Sequence, residues 1–249
     1  MLDYGAECVP KSVSVAGAPR TRLWLPVVGA LVETAQGPVL LDGGFSAAFL
    51  ADAEAKARVY RGGPPPRPPA EDALGALGVL PGDLALAAVS HLHCDHTGEL
   101  RPVAAAGKRI AIHADELAFA QSRATIEDGY YAPDYEGLDA AWHVLDGDTE
   151  LADGVVALAT PGHTPGHLSF RVDLPQTGTW LLAFDAADLG ENVLEGTPPG
   201  WTALPEDAER AAASLARLRG EAERLDARLV PGHDAAFWRA IRHPPGGHP

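Results

Sequence analysis

The chain has 249 residues, enough for one sizeable domain, and carries 34 acidic against 19 basic side chains for a net charge of -15. So acidic a surface repels polyanions, and with no Lys/Arg run to offset it a nucleic-acid partner is not expected. No apolar run approaches the ~20 residues needed to span a bilayer, and Met1 to Glu7 has neither the basic start nor the apolar core of a signal peptide. Cys8 and Cys94 show no disulfide or zinc-ribbon spacing. A single domain over residues 1–249, in a reduced cytoplasmic setting and away from membranes, is the expectation.

In chain order, residues 23–25, 27–33 and 39–41 read as early strands, with a turn at Gln36-Gly37-Pro38. Ser46 is placed to cap a helix from residue 47 to about 58, which the proline-rich stretch 62–69 cannot continue. That stretch reads as a stiff connector, followed by a short helix near 71–77. The apolar run 84–89 reads as a buried strand that ends just before His91-Leu92-His93-Cys94-Asp95-His96. Residues 109–113 then read as a strand and 114–123 as a helix. Residues 130–138 have no regular period, and their aromatics and acids suggest a loop over a site, with the Tyr131 phenol a candidate donor to substrate. Strands at 155–159, 168–172 and 179–183 follow, then an amphipathic helix at 206–219, a short strand at 229–230 and a frayed tail at 243–249 whose histidines are incidental.

Three imidazoles and a carboxylate within six residues pack poorly, so a metal is the best reason for the cluster at 91–96. A solvated histidine-rich loop is the alternative. Leaving a strand, His91 and His93 can turn to one ion while Asp95 and His96 face a second. The pair His163 and His167, in Thr160-Pro161-Gly162-His163-Thr164-Pro165-Gly166-His167, likewise follows an apolar run, as do Asp185 and His233. Sites form where strand ends converge, so this repeated placement points to one pocket. His and Asp donors suit an open hydrolytic site better than a closed structural one. These imidazoles and carboxylates are too many for one tetrahedral ion and suit two ions sharing a bridge.

The HxHxDH run, the later Gly-His, the isolated Asp after a strand and the terminal Gly-His make the chain resemble the metallo-β-lactamase-fold hydrolases along nearly its whole length. Tyr130-Tyr131 with Asp134, Asp146-Gly147-Asp148, the TPGHTPGH segment, Glu191-Asn192 and Pro231-Gly232-His233-Asp234 narrow the likeness to the N-acyl-homoserine lactonase branch. The resemblance implies an α/β fold, the αβ/βα four-layer sandwich. It also implies one metal on His91, His93 and His163, another on Asp95, His96 and His233, and Asp185 as the bridge. Two divalent ions are expected, zinc foremost, with manganese, cobalt or iron acceptable to the same donors. The implied reaction is attack of a metal-bridging hydroxide on a lactone or related carboxylic ester, with Asp95 as ligand or proton carrier. A thioesterase or glyoxalase-II-like hydrolase and an iron-dependent oxidoreductase are the alternatives. The partner is a small-molecule substrate, and a homodimer is compatible with the sequence. In the branch a substrate-contacting tyrosine lies three residues after the bridging aspartate. Asp188 stands there in this chain, a candidate catalytic group expected to redirect substrate choice toward a lactone or ester bearing a hydrogen-bond donor. His167 and Asp42 are expected behind the ligands, Cys94 as a packed thiol, and His113 and His143 as structural.

Overall fold

Among the described residues eleven strands form two mixed sheets, and each sheet ends its strands at one group of the histidines and aspartates singled out above. The computed structural model describes residues 1–241, 247 and 248. The chain divides into two compact units: Met1–Val9 with Pro26–Asp146, and Pro10–Leu25 with Gly147–Pro249. Of the tail expected at 243–249, only 247 and 248 are among the described residues, and His248 there lies 4.7 Å, ring to ring, from Trp180.

The first unit is built on the sheet β1 (Leu2–Pro10), β2 (Arg22–Val32), β3 (Val39–Leu41), β4 (Leu86–Ala88), β5 (Ile110–His113) and β6 (Trp142–Leu145), in that spatial order. β2 and β3 are antiparallel, while β3 to β6 run parallel. Parallel strands are covered on both faces. Val39, Leu41, Val89, Ile110 and Ile112 are accordingly fully buried.

β2 is one strand, although its sequence was expected to give two, because Pro26 fixes an extended φ without ending the pairing. A short helix α1 (Lys11–Ser14) precedes it. Ser46 caps the next helix as expected, its hydroxyl accepting from Phe49 N at 3.0 Å. The expected helix at 47–58 is instead two, α2 (Ala47–Ala51) and α3 (Ala53–Tyr60). Asp52 breaks it by accepting from Ala55 N at 2.9 Å, as a second N-cap. The connector at 62–69 bridges back to β1 through Ala6 and Arg67, and the helix expected at 71–77 shrinks to one 3₁₀ turn at Gly75–Leu77. α4 (Leu100–Ala105) and α5 (Ala114–Ser122) pack beside β5.

The second unit holds β7 (Thr149–Ala152), β8 (Val155–Ala159), β9 (Leu168–Leu174), β10 (Gly178–Leu182) and β11 (Arg228–Val230) in the order β11-β10-β9-β8-β7. All neighbours are antiparallel except β10 and β11. The helix α6 (Ala208–Leu225) lays Leu215 and Leu218 onto Leu158, Leu181 and Leu229, and each buried leucine contributes about 1.5–3 kcal/mol. A short α7 (Ala235–Ala240) follows, capped by Asp234 accepting from Phe237 N at 2.7 Å.

Candidate metal centre

In the first unit the loop leaving β4 carries His91, His93, Asp95 and His96, all buried. Asp42, just past β3, has φ 59, a left-handed conformation that aspartate tolerates better than most residues. Its Oδ1 accepts from Ser90 N at 2.6 Å and its Oδ2 from Ser90 Oγ at 2.7 Å, while His96 Nδ1 lies 2.6 Å from Oδ2. Burial pushes the Asp42 pKa up, and the His96 ring and the two Ser90 donors oppose that shift. The His96 proton therefore sits on Nδ1, which turns the lone pair of Nε2 toward Asp95 Oδ2 at 3.2 Å. Because Ser90 gives its one hydroxyl proton to Asp42, it accepts from His91 Nδ1 at 3.0 Å. His91 thus presents the lone pair of Nε2, 2.8 Å from His93 Nδ1. In His91 and His96 the nitrogen that carries the lone pair is thus set by what Nδ1 donates to.

The backbone holds this loop tightly. Glu116, fully buried on α5, accepts from Leu92 N at 2.9 Å and from the Tyr130 phenol at 2.8 Å. The Tyr130 ring stands perpendicular to His93 with centroids 4.8 Å apart. Gly129 O accepts from Cys94 N at 2.9 Å, and Gly129 has φ 97, where a Cβ would press within 3.2 Å of the His93 ring. Cys94 is buried, and desolvation with the neighbouring Asp95 pushes its pKa well up, so it packs as a neutral thiol. Asp134 accepts from Thr97 Oγ1 at 2.7 Å, and burial raises its pKa to about 6. Tyr131 points elsewhere than Tyr130: its hydroxyl lies 3.3 Å from Asp52 Oδ2, on the wall of a cavity of about 370 Å³ also lined by Tyr130, Arg58 and Tyr135.

In the second unit the loop after β8 carries His163 and His167. Gly162 has φ 144, and a Cβ there would fall 2.3 Å from Ala211 Cα, so α6 can pack against this turn only over glycine. Ser169 Oγ donates to Ala183 O at 2.9 Å, Thr160 Oγ1 and Ser169 Oγ are 2.9 Å apart, and His167 Nδ1 lies 2.9 Å from Thr160 Oγ1. This relay puts the His167 proton on Nδ1 and fixes its ring 5.9 Å from that of His163. Phe184, with φ 46, is a left-handed non-glycine residue, a conformation that costs about 1–3 kcal/mol and marks a constrained position. It presents Asp185, whose Oδ2 lies 3.3 Å from His163 Nε2 and whose Oδ1 lies 3.0 Å from His233 Nε2. One ligand atom each of Asp185, Asp188 and His233 fall within 4.8 Å of one another.

The structure therefore groups His91 with His93, and Asp95 with His96, in the first unit, and gathers His163, Asp185, Asp188 and His233 in the second. Buried imidazole lone pairs converging with carboxylates, and no thiolate among them, form a donor set that fits a hard or borderline divalent cation. His113 caps α5 through Asp115 N at 3.1 Å, and His143 is exposed on β6. Of the remaining signature segments, Asp148 accepts from Ala159 N at 2.9 Å and pairs with Arg217, tying β8 to α6. Glu191 pairs with Lys11, while Asn192 accepts from Leu189 N at 2.8 Å and donates to Ser14 O and Thr197 O. Sequence reasoning missed Ser90, Glu116 and Trp201, whose ring meets His163 with centroids 5.3 Å apart. For Trp201 a signal existed, a large aromatic in an aperiodic, proline-rich stretch.

The model of the metallo-beta-lactamase superfamily matches residues 22–233. The "N-acyl homoserine lactonase AttM" of Azorhizobium caulinodans is 35% identical over 177 residues, 69% of this chain and 66% of that protein, so the matched stretch falls just short of two thirds of that relative. The "N-acyl homoserine lactonase AiiA" of Bacillus thuringiensis subsp. kurstaki is 31% identical over 248 residues, 97% of this chain and 92% of that protein. Among solved structures, an N-acyl homoserine lactone hydrolase with the product N-hexanoyl-L-homoserine bound at its catalytic metal centre superposes with a TM-score of 0.81 at 28% identity, covering 97% of this chain and 94% of that one.

Proposed function

Because the chain belongs to the metallo-β-lactamase superfamily, we propose that it is a dinuclear metal hydrolase that opens N-acyl homoserine lactones or closely related carboxylic esters. The observation that carries this reading is Asp185, whose two oxygens face different histidines, Oδ2 toward His163 and Oδ1 toward His233, as a carboxylate bridging two cations requires. One cation is assigned to His91, His93 and His163, the other to Asp95, His96 and His233. The relatives named above, both N-acyl homoserine lactonases, support the lactone class. Zinc is proposed first, since imidazole and carboxylate donors suit it, and manganese, cobalt or iron fit the same set. A reduced cytoplasmic setting belongs to this reading, with Cys8 and Cys94 outside any disulfide and no described helix long and apolar enough to cross a membrane.

Bound there, two divalent cations supply a water acidified to near neutral pH and an electrophilic contact for the carbonyl oxygen. The side chains do the rest. Ring opening joins the water oxygen to the acyl carbon and breaks the bond to the ring oxygen, so the water's proton has to reach the departing alkoxide. Asp95, beside His96 Nε2, is assigned to carry that proton. The Tyr131 phenol, on the cavity wall within reach of Asp52, is assigned as donor to the substrate's oxygen. Asp42 and Ser90 keep the His96 and His91 rings in the tautomers that face the cations.

The test is proton release from N-hexanoyl-L-homoserine lactone by metal-assayed protein, run beside a thioester and with oxygen uptake recorded. Lactone turnover that a chelator abolishes and a divalent metal restores is the expected result. Faster thioester than lactone turnover, or oxygen consumption, overturns the substrate class.

A further inference from the structure

We propose that Asp188 is itself a metal ligand, a further carboxylate donor to the cation held by His233. The inference rests on the metal-centre reading above. Asp188 is 5% exposed, and its ligand atom lies within 4.8 Å of those of Asp185 and His233. Two ligand bonds of about 2.2 Å to one cation span at most roughly 4.4 Å, so the group needs little adjustment to close on an ion.

The loop that delivers this carboxylate is fixed from several sides. His233 N donates to Asp188 O at 2.9 Å, Leu189 N to Asn192 Oδ1 at 2.8 Å and Gly190 N to Asp234 Oδ2 at 2.7 Å. Asn192 is anchored in turn on Ser14 O and Thr197 O. The amides of Leu189 and Gly190, which follow Asp188, are thus held by other side chains. Two carboxylates buried this close repel each other, and taking them out of water is unfavourable unless positive charge joins them. An imidazole that ligates a metal does so through the lone pair of its neutral form and brings no charge of its own. A divalent cation among the three supplies the charge and uses all three donors.

The consequence is a harder centre. Asp95, Asp185 and Asp188 would face five imidazoles, and each added carboxylate shifts preference toward oxygen-seeking ions such as manganese.

The experiment uses the full chain as wild type, Asp188→Asn and Asp188→Glu. Zinc and manganese affinities are measured by competition with a chromophoric chelator, and melting is followed with and without metal. Loss of a bond that merely supports a ligand weakens metal binding about 10–100-fold, so loss of a ligand in Asp188→Asn should weaken one of the two cations by about 100-fold or more. Manganese should suffer more than zinc, and Asp188→Glu, which keeps the carboxylate, should retain more affinity than Asp188→Asn. The metal-free melting temperature of Asp188→Asn should hold or rise, since a buried charge is gone, while the stabilisation by metal shrinks. Unchanged metal affinity in Asp188→Asn overturns the inference: with an altered kcat/KM it would make Asp188 a substrate contact, and with a lowered metal-free melting temperature a structural carboxylate. A wild type that takes up no metal would instead overturn the metal-centre reading itself.

Discussion

His91 and His96 owe their orientation to residues outside the proposed ligand set. Asp42 turns His96, Ser90 turns His91, and Glu116 steadies both Leu92 and Tyr130. The ligand candidates were legible in the sequence because clustered titratable groups make a poor core, and Asp42 was legible as an aspartate at a strand end. Ser90 and Glu116 were not, because serine and glutamate are ordinary surface residues until a distant segment folds over them. The paired tyrosines separate the two kinds of role. Tyr130→Phe removes a donor from a fully buried carboxylate and should cost about 1–3 kcal/mol in urea unfolding. Tyr131→Phe loses a long contact to the partly exposed Asp52 and should cost less than about 1 kcal/mol. Turnover should reverse that order, falling in Tyr131→Phe and holding in Tyr130→Phe. Full activity in both variants would leave the loop with no chemical part.

Among the elements, those with strong periodicity or long apolar runs were readable. β3, β8 and α5 lie where the sequence placed them, and α6 does so with its start moved by two residues and its end extended to Leu225. β1, β6 and β7 were not readable. β1 carries Gly5 at φ 99 and two acidic residues in nine positions, and a Cβ at Gly5 would fall 2.1 Å from Arg67 O, so pairing with the connector overrides a weak strand signal. β6 and β7 are four residues each, separated by Asp146-Gly147-Asp148, which reads as plain turn. The turn carrying His163 depends on an element contact that the sequence did not reveal, Gly162 under α6. Gly162→Ala should therefore lower stability by more than about 2 kcal/mol and weaken metal binding at His163, as read by melting and chelator competition. A variant with wild-type melting would mean that α6 yields easily and the close approach constrains nothing.

At the scale of the whole molecule, family and fold were the most legible features, since the order of ligand motifs along the chain matches a superfamily whose model spans residues 22–233. The lactonase branch read from the finer segments is borne out by relatives carrying that name. Those same segments mostly do structural work here, through Asp134 on Thr97, Asp148 on Arg217 and Asn192 on Ser14, which explains why they mark the branch without naming a substrate. A net charge of -15 fits a small neutral substrate better than a polyanion. The central claim, two cations bridged by Asp185, is tested most directly by elemental analysis of metal-replete wild type and Asp185→Ala beside their lactone turnover. The account predicts two divalent ions per wild-type chain, with Asp185→Ala losing at least one of them and its activity. One ion per wild-type chain, or near-wild-type turnover in Asp185→Ala, would contradict it.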